Sequence, residues 1–259
     1  KFPYETVEVP ANMSPYKISV TGLKGGHSGL DINYGRGNAN KIINKLMMET
    51  AEEFGLRLSE IEGGSLRNAI PREAFATVVV PETKKDDFKK HVEVFEREIK
   101  VAFEKADPGL MIDVKTTKMP RNLIDEKTQN NLFKAVDECP NGVNAMDEKM
   151  PDVVETSTNL AVVKSTGKEV EIATLQRSAV DDKKADLSKE IYEIFKKYGG
   201  EPVQSGDYPG WKPNPDSEIL QEMKEVYNKL YGRVPEVKVI HAGLECGILG
   251  AKYPNWDMI

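Results

Sequence analysis

Tyr16-Lys17-Ile18-Ser19-Val20-Thr21 alternates polar and apolar side chains and leads into Leu23-Lys24-Gly25-Gly26-His27-Ser28-Gly29-Leu30-Asp31. Alternation with period two is the signature of a half-buried strand. The glycines that follow allow crowded or left-handed backbone and let a ligand approach closely, so His27, one of three histidines in the chain, is a candidate for chemistry. A histidine in a strand-to-helix turn serves equally well as a cap or filler, and both readings stand at this level. Beyond the turn, residues 38–54 carry Ile42, Leu46 and Ala51 at roughly helical spacing. Residues 56–62 alternate again, Gly63-Gly64 breaks the pattern, and residues 72–80 end in Thr77-Val78-Val79-Val80 before Pro81 stops the strand. Residues 83–105 set Phe88, Val92, Phe95, Ile99 and Phe103 at spacings of three and four, an amphipathic helix, and residues 111–117 read as a strand.

The resulting order is βαββαβ, the ferredoxin-like pattern of an α+β fold with helices on one face of an antiparallel sheet. The following stretch repeats it in degenerate form. It gives a helix at 125–137, strands at 158–164 and 170–177, a helix at 181–198 and a short strand at 202–205. Two such units can join edges into one longer sheet, which removes an open edge from each. We therefore expect a duplicated domain over residues 1–205, with halves at about 15–118 and 122–205. Tyr208-Pro209-Gly210-Trp211 and Lys212-Pro213-Asn214-Pro215 mark a crossover. After it, Ser217 is a plausible N-cap of a helix to about residue 231, with Ile219, Leu220, Met223, Val226, Tyr227 and Leu230 as its buried face. A strand at 237–241 and a glycine-bounded segment at 243–250 complete residues 206–259, which are too few for an independent α/β domain and read as a remnant of one. A start at Lys1 without Met and an apolar, strand-like end at 253–259 fit a chain cut from something longer.

The net charge of −6, with both signs interspersed, argues against a nucleic-acid-binding surface. No apolar run reaches the roughly 18–20 residues of a membrane span, and no leader pattern opens the chain. Cys139 and Cys246, in no metal or CxxC spacing, fit a reducing compartment and a cytoplasmic protein. His27, His91 and His241 have no metal-binding spacing, and His91 falls on the charged, solvated face of its helix, so no self-contained metal site is expected. Neither the GxSxG elbow nor a phosphate-cradling glycine motif is present.

Three other constellations offer chemistry. Leu66-Arg67-Asn68-Ala69-Ile70-Pro71 places an amide and a cation in a turn before a strand, where they suit a ligand carbonyl or carboxylate, or simply cap the turn. Leu175-Gln176-Arg177-Ser178 ends a strand with a guanidinium able to hold a carboxylate through two bonds, or to make a surface ion pair. His241-Ala242-Gly243-Leu244-Glu245-Cys246-Gly247 sets Glu245 in a strand-to-helix turn, where it faces a ligand amine or complements the helix dipole.

Together with Gly206-Asp207-Tyr208-Pro209-Gly210-Trp211, these motifs in this order resemble the Xaa-His dipeptidases (aminoacyl-histidine dipeptidases). That family lies within the di-zinc peptidases that include carnosinases, peptidase T and carboxypeptidase G, and the resemblance covers essentially the whole chain. It implies a hydrolase whose catalytic domain holds two zinc ions and whose inserted lid supplies His27 to the oxyanion and Asn68 and Arg177 to the dipeptide. Glu245 and Gly243 match the substrate-side loop of the catalytic domain. The family's N-terminal zinc ligands, general-base Glu and C-terminal zinc-binding His have no counterpart in this chain. The resemblance thus implies a lid with part of a catalytic domain, no catalytic zinc of its own, and no dipeptide hydrolysis alone. A homodimer through the lid is a further expectation. The alternatives are a non-catalytic dimerisation module or a small-molecule-binding module.

Overall fold

The structure is a computed structural model and describes residues 1–212, 214–241 and 245–259. The first half runs β1 (Phe2–Pro3), β2 (Thr6–Val7), β3 (Met13–Thr21), β4 (Gly26–His27), α1 (Ala39–Phe54), β5 (Arg57–Gly63), β6 (Ala69–Ile70), β7 (Ala74–Pro81), α2 (Lys85–Ala102) and β8 (Met111–Thr116). The second runs β9 (Leu123–Ile124), α3 (Glu126–Glu138), β10 (Gly142–Met146), β11 (Val154–Ser165), β12 (Glu169–Ser178), α4 (Asp181–Lys197), α5 (Glu218–Tyr231) and α6 (Glu245–Lys252). One sheet carries β1-β12-β11-β5-β7-β3-β8 in that order, with β10 added beside β11, and every pair in it is antiparallel.

Local chemistry explains the elements. Along β3 the polar–apolar alternation buries Tyr16, Ile18 and Val20, which face Ile43, Leu46 and Met47 of α1 and Phe88, Val92 and Phe95 of α2 in a single core. Asn38 opens α1 by accepting from the Lys41 amide (3.2 Å), and Gly55, with φ 72°, closes it. Asp125 caps α3 through the Thr128 amide (2.9 Å), and Ser217 caps α5 through that of Leu220 (3.1 Å).

At the centre of the sheet the two halves meet at β5 and β11 through two residue pairs, Val163 with Gly63 and Lys164 with Glu62, while β1 reaches across to β12 and β2 to β9. The same edge of β11 pairs with β10 at its other end, up to Thr158 with Gly142. Between these pairings asparagine side chains replace a strand. Asn141 Oδ1 accepts from the Leu160 amide (2.9 Å), and Asn38 Nδ2 donates to the Leu160 carbonyl (3.0 Å). Gly64 fits here because a Cβ would lie 1.8 Å from the Ala161 carbonyl oxygen.

Several expectations are corrected. Residues 202–205 and 237–241 form no strand, and 253–259 end in a turn and irregular chain. The extra strand of the second half, β10, precedes β11 instead of following α4, because Gly142–Met146 finds a partner on the free edge of β11. No residue of α5 is buried; Met223, Val226 and Leu230 are exposed, since no described element packs on that face. His91 is not simply solvated: its ring nitrogens lie 3.3 and 3.5 Å from carboxylate oxygens of Glu49 and Glu53, and it packs edge-on to Phe54. Among the described residues no helix is long and apolar enough to cross a membrane.

Candidate functional site

The glycine turn forms a small two-stranded ladder. Gly26 pairs with Ile70 and His27 with Ala69, and the Ser28 amide donates to the Asn68 carbonyl (2.8 Å). This brings His27 beside the Asn68 turn. Gly26 has φ 141°, and a Cβ there would lie 2.2 Å from Arg36 Nη1 and 2.5 Å from Asp31 Oδ2, so the turn requires glycine. Asp31 also accepts from the His27 amide (2.7 Å).

The imidazole is fixed by the main chain. His27 Nδ1 accepts from the amides of both Gly29 and Leu30, each at 3.1 Å. An acceptor at Nδ1 places the proton of the neutral ring on Nε2, so the ring presents an N–H donor. Partial burial, and then the Arg177 charge, hold the His27 pKa below its ordinary value, with Asp31 opposing them.

Arg177, half-buried on β12, donates from Nε to Ser28 Oγ (3.4 Å), and its guanidinium has no carboxylate partner among the described residues. Burial lowers its pKa, the mark of a cation without a compensating anion. Asn68 is exposed on the turn, which Asn159 ties down by donating from Nδ2 to the carbonyls of Arg67 (3.2 Å) and Ala69 (2.8 Å).

His241 joins them from the far end of the chain. Its Nε2 lies 2.8 Å from Ser157 Oγ, and burial, followed by the Arg177 charge, lowers its pKa to about 4. Its carbonyl sits against Gly29, where a Cβ would approach it to 2.0 Å. His27, Asn68, Arg177 and His241 all line one cleft of about 1580 Å³.

The structure therefore brings together three of the five site residues expected from sequence. Glu245 is exposed at the first position of α6, away from the cleft lining, and Gly243 lies outside the described residues. His241 was the residue missed. Its signals were its rarity, as one of three histidines, and its place at the head of the glycine-containing motif that had drawn attention to Glu245. Among the described residues no three His, Cys, Asp or Glu side chains gather as metal ligands, so this part of the chain does not fit a zinc centre.

Comparison with known proteins gives concordant results. The family described as a peptidase dimerisation domain matches residues 18–107. The cytosol non-specific dipeptidase of Escherichia coli (strain K12) is 37% identical over 251 residues, which are 97% of this chain and 52% of that protein. The crystal structure of aminoacylhistidine dipeptidase from Vibrio alginolyticus superposes with a TM-score of 0.95 at 38% identity, covering 99% of this chain and 52% of that one. The chain thus spans about half the length of these relatives. Over nearly its whole length the chain is similar to one part of these two dipeptidases, and residues 18–107 match the peptidase dimerisation domain family.

Proposed function

We propose that this chain is the substrate-gripping part of a zinc-dependent dipeptidase acting on Xaa-His dipeptides, working as a cytoplasmic homodimer. The observation that carries the reading is the placing, in one cleft, of a main-chain-fixed imidazole donor and a half-buried guanidinium that has no carboxylate partner among the described residues. Arg177 holds the terminal carboxylate of the dipeptide, and Asn68 offers its amide to the bound backbone. The Nε2–H of His27 faces the peptide carbonyl oxygen and stabilises negative charge as it develops there. His241 closes the cleft beside Arg177 and, being neutral, adds no charge to compete for the carboxylate. Gly243 and Glu245 keep the role of substrate-side loop residues that the family resemblance implies. The zinc ions are assigned to the other half of a longer enzyme, because the described residues gather no ligand set for them. The match of residues 18–107 to a peptidase dimerisation domain supports dimerisation through this region.

NMR titration of the chain with an Xaa-His dipeptide and with its C-terminal amide tests this. The free acid should shift the Arg177 and His27 resonances, the amide should bind at least about tenfold more weakly, and Arg177→Gln should erase the difference. Equal binding of acid and amide overturns the assignment of Arg177. Zinc-dependent cleavage of Xaa-His substrates by this chain alone overturns the division of labour.

A further inference from the structure

Ser157 and Arg177 stand opposite each other on β11 and β12, so their side chains leave the sheet on the same face. Arg177 reaches from there to Ser28, and Ser157 meets the ring of His241. The imidazole is therefore held beside the guanidinium, and both line the cleft.

The buried hydroxyl fixes the tautomer of that ring. Ser157 is fully buried, and His241 Nε2, at 2.8 Å, is the one hydrogen-bond partner of its Oγ among the described residues. If Nε2 carried the ring proton, the Ser157 hydroxyl hydrogen would have no acceptor, the costly state for a buried polar group. The satisfied arrangement has Ser157 donate to Nε2, which puts the proton of the neutral ring on Nδ1. His27 takes the opposite tautomer, because two amides donate to its Nδ1. In both rings the protein occupies the accepting nitrogen, and His241 Nδ1 has no partner among the described residues. With a pKa lowered to about 4 by burial and the Arg177 charge, His241 stays a neutral donor near pH 7.

Arg177 calls for such a donor. Its Nε is engaged with Ser28 Oγ (3.4 Å), which leaves the two terminal nitrogens as an end-on fork for a carboxylate. The fork uses one lone pair on each oxygen, and each oxygen keeps another. A neutral N–H beside the fork meets one of these. A C-terminal amide presents its own N–H there instead, and two donors then face each other.

We propose that His241 is a substrate-binding residue, donating from Nδ1 to the carboxylate that Arg177 holds and so setting a preference for the free carboxylate over its amide. The proposal rests on the dipeptidase reading and adds a specificity-determining residue to it.

Two substitutions separate the ring nitrogens. His241→Asn keeps a donor near the Nδ1 position and gives up Ser157, whereas His241→Gln keeps a partner for Ser157 and has no donor at the δ position. NMR titration with alanyl-histidine and its C-terminal amide reads the ratio of acid to amide affinity. His241→Gln should lower that ratio by about tenfold, while His241→Asn should keep it within about threefold of the unsubstituted chain. An unchanged ratio in His241→Gln, or the equal loss in both variants that a packing role would give, overturns the proposal. So does an imidazole nitrogen NMR spectrum with the His241 proton on Nε2. Those outcomes leave the assignment of Arg177 standing; equal binding of acid and amide by the unsubstituted chain instead overturns the dipeptidase reading, and the role of His241 with it.

Discussion

At the residue scale, three side chains distant in sequence share one electrostatic environment. Arg177 lowers the pKa of both His27 and His241, in each case second to burial. The His241 ring should therefore stay neutral down to about pH 4. Arg177→Gln should raise both histidine pKa values in an NMR titration of the ring protons, restoring His241 only in part because burial remains. The stability consequence has a defined sign. A histidine with a depressed folded pKa contributes fully above the unfolded value of about 6.5, and its contribution is lost as pH falls toward 4. His241→Gln should flatten that segment of the stability–pH profile, by on the order of 2 kcal/mol. His27 was legible in the sequence because its glycines advertise a special turn. The role of His241 was not, because its setting comes from Ser157, 84 positions away, and from the glycine at position 29 that leaves room for its carbonyl.

At the element scale, periodicity carried the reading wherever an element packs on its own neighbours. α2 is such a case: Phe88, Val92 and Phe95 recur at helical spacing and all three are buried. α5 has the same kind of pattern and a correct Ser217 cap, yet buries nothing, because amphipathicity announces a face and not its partner. The two helices should respond oppositely to truncation. Phe88→Ala, at a fully buried position, should cost about 3–5 kcal/mol in urea unfolding, whereas Val226→Ala on α5 should cost less than about 0.5 kcal/mol. Residues 202–205 have a composition compatible with a strand and run where one would lie, but a strand exists only when its hydrogen bonds find a partner.

At the scale of the whole molecule, the β8-β3-β7-β5 order of the first unit follows from the βαββαβ pattern, and the joining of two units by their edges was foreseeable from two sets of single-faced strands. How they join was not. β5 meets β11 through two residue pairs, and the rest of the seam is filled by Asn38 and Asn141 around a carbonyl and amide of Leu160. No local pattern reveals asparagines that act as strand surrogates, one of them, Asn38, 122 positions from the Leu160 carbonyl that it meets. Gly64, at φ 71° and facing the Ala161 carbonyl, is the tightest point of that seam. Gly64→Ala should destabilise the protein by about 2–4 kcal/mol and separate the unfolding curves of the two halves when each is followed by its own probe. The seam also gives the molecule a mechanical grain. Eight residue pairs rivet β3 to β7, whereas two hold β5 to β11, so tension applied across the sheet would pass at its middle from main-chain rungs to side-chain bonds and to the packing of α1 on α3 behind it.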